Sequence, residues 1–93
     1  MRIEWSRRAI RDLDRFALFL SEHHPELSGE VAGAIITKMK VLADHPRLGR
    51  PLAGRPEYRQ LVLRVLGGTY VFRYRFDGER LVILRVLHGR EER

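Results

Sequence analysis

The chemistry open to this chain rests on arginine and histidine. His88 and Arg90 follow directly on the apolar run Leu81–Leu87 (LVILRVL), and Arg85 lies inside that run. An imidazole can give or take a proton near neutral pH, and a guanidinium presents a planar fork of donors that fits phosphate or carboxylate. Brought together, the two suit RNA cleavage, in which a 2′-hydroxyl is deprotonated, charge on the phosphate is stabilised and the leaving oxygen is protonated. In the alternative reading His88 only ends a strand and the arginines only confer solubility.

Other chemistries find less support. His23, His24 and His45 fall at expected helix ends, no two histidines stand at i, i+4, and no carboxylate cluster accompanies them, so no metal site is expected. The chain has no cysteine, which excludes disulfides and thiolate ligands. Its glycines match neither a phosphate-cradling loop nor a dinucleotide fingerprint, so no cofactor is expected. Ser6, Ser21, Ser28 and Thr37 stand in no nucleophile context, and Trp5 is expected in the core.

Ninety-three residues suffice for one domain, taken as 1–93, and too few remain for a second core. The N-terminus shows no signal-peptide pattern, and no apolar stretch nears the roughly 20 residues that span a bilayer. A soluble cytoplasmic protein without a membrane partner is expected. The net charge of +6 is one-sided. Residues 1–46 balance seven basic against seven acidic side chains, whereas residues 47–93 carry eleven arginines against five carboxylates. Such asymmetry points to an acidic partner, either nucleic acid or an acidic protein segment.

The positioning elements follow from periodicity. Arg2–Trp5 alternates, placing Ile3 and Trp5 on one face of a short strand. Ser6 stands at an N-cap position, and Ile10, Leu13, Phe16, Ala17 and Leu20 recur at helical spacing to about Glu22. Pro25 suits the first turn of a second helix. Its stripe is Leu27, Val31, Ile35, Met39 and Leu42, and it ends at Asp44-His45-Pro46. Residues 46–57, with three prolines and two glycines, read as a loop. Three strands follow: Tyr58–Leu66, a Gly67-Gly68 turn, Tyr70–Phe76, an Asp77-Gly78 hairpin signal, and Leu81–Leu87. The expected class is α+β: an N-terminal strand, an antiparallel helical hairpin, and a three-stranded antiparallel meander with the helices on one face.

Strand alternation sorts the charges. Tyr70, Phe72, Tyr74 and Phe76 share one face, and Val71, Arg73 and Arg75 the other. Val82, Leu84 and Val86 point one way, and Leu81, Ile83, Arg85 and Leu87 the opposite way. Arg64 opposes the Leu61-Leu63-Val65 face. If the apolar faces pack on the helices, Arg64, Arg73, Arg75 and Arg85 gather on an open sheet face, with Arg59 and Arg90 near its rim.

Five stretches in order resemble the RelE/ParE superfamily of bacterial type II toxins. They are W-S-x-x-A-x-x-D-L (Trp5, Ser6, Ala9, Asp12, Leu13), H-P-x-x-G-R-P (His45 to Pro51), Y-R-x-L-V (Tyr58 to Val62), Y-V-F-R-Y-R (Tyr70 to Arg75) and I-L-R-V-L-H-G-R (Ile83 to Arg90). The resemblance covers nearly the whole chain. It implies a helical hairpin on a small twisted sheet, and a cognate antitoxin wrapping the toxin with an acidic or amphipathic segment and linking it to operator DNA.

The family divides by target. The RelE-like branch cuts messenger RNA on the ribosome, and the ParE-like branch poisons DNA gyrase without evident enzymatic chemistry. The catalytic arginine that RelE-like enzymes carry after the aromatic opening the middle strand is missing, since Val71 follows Tyr70. Of their alternating basic pair, Arg59 matches one member and Leu61 stands at the other, while Arg90 matches the arginine after the last strand. A tyrosine often found further on has no counterpart. The near-equal helices and the Y-V-F-R-Y strand look more ParE-like. Three functions are therefore expected in order: a gyrase-poisoning, plasmid-stabilising type of toxin; a ribosome-dependent endoribonuclease using His88, Arg90 and Arg85; or a degenerate module that only binds antitoxin. Arg59, Arg64, Arg73 and Arg75 are the expected contacts to target or nucleic acid.

Overall fold

The computed structural model describes residues 1–65 and 68–89. The elements run β1 (Ile3–Trp5), α1 (Arg7–His23), α2 (Pro25–Asp44), β2 (Arg50–Leu52), β3 (Arg55–Val65), β4 (Gly68–Phe76) and β5 (Leu81–His88). The strands form one sheet in the order β1-β5-β4-β3-β2, with β1 parallel to β5 and the other neighbours antiparallel. The helical hairpin covers one face, giving the expected α+β architecture. Arg90 and the first glycine of the expected Gly67-Gly68 turn lie outside the described residues.

Local chemistry explains most boundaries. Ser6 is extended (φ −67°, ψ 160°), and its hydroxyl accepts from the Ala9 amide at 3.0 Å. The same hydroxyl donates to the Leu84 carbonyl at 2.9 Å, and the Ser6 amide donates to the Ile83 carbonyl, so the cap ties α1 to β5. Pro25 opens α2, where its missing N–H would have had no helical partner. At the β4–β5 turn Gly78 takes a left-handed φ of 98°. Asp77 Oδ1 there accepts from the amides of Glu79 and Arg80, which closes the hairpin.

The core lies between the hairpin and one sheet face. Tyr74, Phe72, Leu42, Leu81, Ile83 and Val86 are fully buried, and Trp5 packs edge-on to Phe72 at 6.5 Å. The periodicity of α2 is realised, with Val31, Met39 and Leu42 buried and Leu27 and Ile35 packed against them. That of α1 is rotated. Ile10 is 47% exposed and Ala17 is exposed, while Ala9 and Asp12 turn inward beside Leu13, Phe16 and Leu20. A buried carboxylate, which hydropathy would assign to solvent, shifts the stripe.

Two strand expectations are corrected. The segment 46–57 is not all loop, because Arg50–Leu52 pairs with a third strand that starts at Arg55 rather than Tyr58. Gly54, at φ 72°, makes the tight reversal between them. Pro51 is tolerated because this strand is the sheet edge, where a missing N–H breaks no ladder. In β5, Arg85 pairs with Arg73 but Ile83 pairs with Tyr74, which leaves Leu84 as an extra residue. This β-bulge exchanges the faces beyond it. Leu81, Ile83 and Val86 therefore all enter the core. His88 pairs with Tyr70 on the helix side, and Leu87 pairs with Val71 on the opposite face.

Candidate functional site

The open face of the sheet is built in cross-strand rows. One row runs Arg50 (β2), Gln60 (β3), Arg73 (β4), Arg85 (β5). On one side of it stand Tyr58, Arg75, Val82 and Glu4. On the other stand Val62, Val71 and Leu87, and then Arg64 opposite Thr69. Neighbouring strands are about 4.8 Å apart, so four strands carry the arginine row across roughly 14 Å.

The expected site residues divide between two sides. Arg64 and Arg73 are on the open face, Arg64 exposed and Arg73 half-buried, with Arg73 Nε donating to Gln60 Oε1 at 3.2 Å. Arg75 shares that face, with its guanidinium 2.9 Å from Glu57 and 3.5 Å from Asp77. Arg85 is in register with Arg73, yet its side chain goes to Asp12 of α1. Arg59 pairs with Tyr74 and so belongs to the helix side, not to the rim of the arginine face. His88 is on the helix side as well, edge-on to Tyr70 at 5.6 Å and tilted against Phe16 at 6.5 Å. Arg90 is outside the described residues. Strand register from Arg85 to His88 puts the imidazole on the face opposite Arg64, Arg73 and Arg75.

Asp12 explains the fate of Arg85. β1 pairs with β5 only over Leu81–Ile83, so the edge of β5 beyond it needs other partners. The Asp12 carboxylate is 4% exposed and accepts from the Val86 amide at 2.8 Å, from Arg85 Nε at 2.9 Å and from Arg85 Nη2 at 3.3 Å. Burial alone would raise its pKa. The hydrogen bonds from Arg85 and Val86, with the charges of Arg85 and Arg15, outweigh burial and hold it below the usual carboxylate value. Sequence reasoning missed this residue, although its place in the run Ala9-Asp12-Leu13-Phe16-Leu20 is the spacing of a buried stripe.

The H-P-x-x-G-R-P segment is held by a second polar clamp. Tyr74 Oη donates to the Pro46 carbonyl and accepts from the Gly49 amide, both at 2.8 Å. Arg59 Nη1 donates to the carbonyls of Gly49 at 2.8 Å and Arg47 at 3.1 Å. A Cβ on Gly49 would lie 2.7 Å from the Tyr74 ring and 2.9 Å from the Gln60 carbonyl, so only glycine fits. The clamp brings Arg50, another residue sequence reasoning missed, onto β2 and into the arginine row.

The helix side offers an apolar groove lined by Ile3, Trp5, Leu13, Ile35, Ile36, Met39 and Ala43, with Lys40 beside them. Ile36 is 57% exposed there. Among the described residues no three His, Cys, Asp or Glu side chains gather as a metal site, and no helix is long and apolar enough to cross a membrane.

Comparison with known proteins gives a consistent result. Y4kP of Sinorhizobium fredii, a candidate toxin, is 34% identical over 98% of this chain and 91% of its own length. Toxin RelE1 of Caulobacter vibrioides is 30% identical over 92% of this chain and 90% of its own. A solved chain of a chromosomal ParDE toxin–antitoxin system from P. aeruginosa superposes with a TM-score of 0.69 over 95% of each chain, at 24% identity, which speaks to the fold. The family model described as the ParE toxin of the type II toxin–antitoxin system parDE matches residues 3–93, and the chain thus belongs to that family of the RelE/ParE toxins.

Proposed function

We propose that this toxin arrests growth by poisoning DNA gyrase and is neutralised by a cognate antitoxin. The observation that carries the reading is the separation of His88 from the arginine row. A nuclease needs its proton-transfer group and its phosphate-stabilising group at one reacting centre. Here the imidazole stands edge-on to Tyr70 and tilted against Phe16 on the helix side, while Arg64 and Arg73 occupy the other side of the sheet. Val71, buried where RelE-like enzymes carry a catalytic arginine, agrees with a binding mode of action.

The antitoxin reading is supported by the family match and by the helix-side groove. Apolar walls with Lys40 beside them suit an amphipathic segment carrying acidic residues. Operator DNA would then be reached through the antitoxin, and the site of action would be the cytoplasm.

The test induces the protein alone and follows DNA and protein synthesis by labelled-precursor uptake, alongside gyrase supercoiling and cleavage assays in vitro. DNA synthesis failing first, with accumulated cleaved DNA, is the expected outcome. Unchanged supercoiling at micromolar toxin would refute it. Ile36→Glu should weaken neutralisation by antitoxin while sparing the fold, since that side chain is exposed. A ribosome-dependent endoribonuclease is the second reading, favoured by 30% identity to two Caulobacter vibrioides proteins named RelE. It requires new cuts in messenger RNA that disappear with His88→Ala or Arg90→Ala. Absence of any toxicity would point to a module that only binds antitoxin.

A further inference from the structure

We propose that the loop 45–49, with Arg50 at the start of β2, is a preformed contact surface for the toxin's protein target. Leu48 is its apolar anchor, and Arg47 and Arg50 are a basic collar that meets carboxylates. The inference rests on the reading of this chain as a toxin that acts by binding gyrase, and it names the surface that would do so.

Side chains of the sheet hold this loop in one shape. Tyr74 is fully buried, and its hydroxyl donates to the Pro46 carbonyl and accepts from the Gly49 amide. Arg59 donates to the carbonyls of Arg47 and Gly49. Within the loop the Leu48 amide donates to the His45 carbonyl at 2.9 Å, and Gly49 leaves no room for a side chain. Yet the fold makes little use of the side chain in the middle. Leu48 is 42% exposed and lies outside the core cluster. An exposed leucine by itself needs no explanation. One carried on a loop tied at Pro46, Arg47 and Gly49 is presented in a fixed place, and such a loop loses little conformational entropy when a partner covers it. Binding residues concentrate on loops that a rigid scaffold positions in this way.

The chemistry of the partner follows from what surrounds Leu48. Residues 46–59 hold Arg47, Arg50, Arg55 and Arg59 against one carboxylate, Glu57, which Arg75 engages at 2.9 Å. The Arg47 guanidinium lies over Phe76 at 5.0 Å and that of Arg55 over Tyr58 at 4.6 Å. Stacking orders a guanidinium while its in-plane N–H groups stay available to a carboxylate. The complementary surface is therefore an apolar recess edged by carboxylates. A phosphate backbone would engage the arginines but give Leu48 nothing apolar to enter, which favours protein over nucleic acid. The groove read as the antitoxin site runs beside β1, whereas the loop leads into β2. Those strands are opposite edges of the sheet, four strand spacings or about 19 Å apart. The loop is thus assigned to the target and not to the antitoxin.

Surface plasmon resonance of the full chain on immobilised DNA gyrase tests this, with antitoxin binding and growth arrest on induction measured in parallel. Leu48→Glu should weaken gyrase binding about 30-fold or more and abolish growth arrest, while its melting temperature and antitoxin affinity stay those of the native chain. Arg47→Glu and Arg50→Glu should each slow association and reduce its salt dependence. Leu18→Glu, on an α1 side chain that is 58% exposed, should change none of these. Tyr74→Phe, which loosens the loop without altering its exposed side chains, should weaken gyrase binding several-fold at temperatures where it remains folded. Native gyrase affinity and growth arrest in Leu48→Glu would overturn the surface and leave the gyrase reading standing. Loss of antitoxin binding in that variant, or binding of the native chain to bare duplex DNA that Leu48→Glu removes, would overturn the assignment to a protein target. If the native chain does not bind gyrase and Leu48→Glu still abolishes growth arrest, the gyrase reading fails and the surface serves another protein target. Absence of both gyrase binding and growth arrest in the native chain would overturn both.

Discussion

Replacing Asp12 by alanine removes the acceptor of three hydrogen bonds at 2.8, 2.9 and 3.3 Å, from a carboxylate that is 4% exposed. Breaking a buried ion pair from one side costs about 3–5 kcal/mol. The Arg85 side chain is 27% exposed, so water recovers part of the loss and the lower end applies. The Val86 amide, at the bulged edge of β5, recovers little and adds about 1 kcal/mol or more. The expected destabilisation is about 4 kcal/mol, a large share of the total for a domain of this size, whose stability is of order 5–10 kcal/mol. Asp12→Asn keeps an oxygen for Val86 and should cost roughly half as much. Adding Arg85→Met to Asp12→Ala should recover part of the stability, because the guanidinium that has lost its Asp12 carboxylate goes with it. Urea denaturation gives the energies, and amide exchange at Val86 reports the edge directly. A loss under about 1 kcal/mol with Val86 still protected would refute the view that Asp12 closes the β5 edge.

The same carboxylate sets a pH dependence. Its pKa is lowered on folding, so its contribution is complete above the unfolded value of about 3.9 and is lost as pH falls through the folded value. The urea midpoint of the native chain should fall below about pH 4 more steeply than that of Asp12→Asn. Gly49→Ala drives a methyl into Tyr74 and the Gln60 carbonyl and should cost about 1–3 kcal/mol by urea melt. Tyr74→Phe removes both clamp bonds and should cost about 1–3 kcal/mol while increasing amide exchange at Gly49. Gly33→Ala should stabilise by about 1 kcal/mol, since a Cβ there meets nothing within 4 Å in the middle of α2. A thermal melt that moves downward would show that the open space is not available.

What the sequence determined by itself is what depends on near neighbours. The Ser6 cap, the Pro25 helix start, the stripe of α2, the Asp77-Gly78 reversal and the alternation of β4 each rest on interactions spanning a few residues. The superfamily was legible because each of its motifs is a short run read in chain order, and the family match over residues 3–93 bears that out. The arrangement of the site depended on contacts across long stretches of chain. Leu84 is an ordinary strand residue by composition, and only its pairing against β4 makes it a bulge that turns Leu81 and Ile83 into the core and Val82 to the open face, opposite to the faces that alternation from Arg85 assigns. Asp12 is buried because Val86 and Arg85, more than seventy positions away, supply the donors. Arg59 turns toward the helices because the loop carbonyls of Arg47 and Gly49 are there to be bonded, and Arg50 joins the arginine row because Tyr74 holds Gly49 in place. Register and edge satisfaction are properties of paired strands, and a single strand's hydropathy carries no record of its partner.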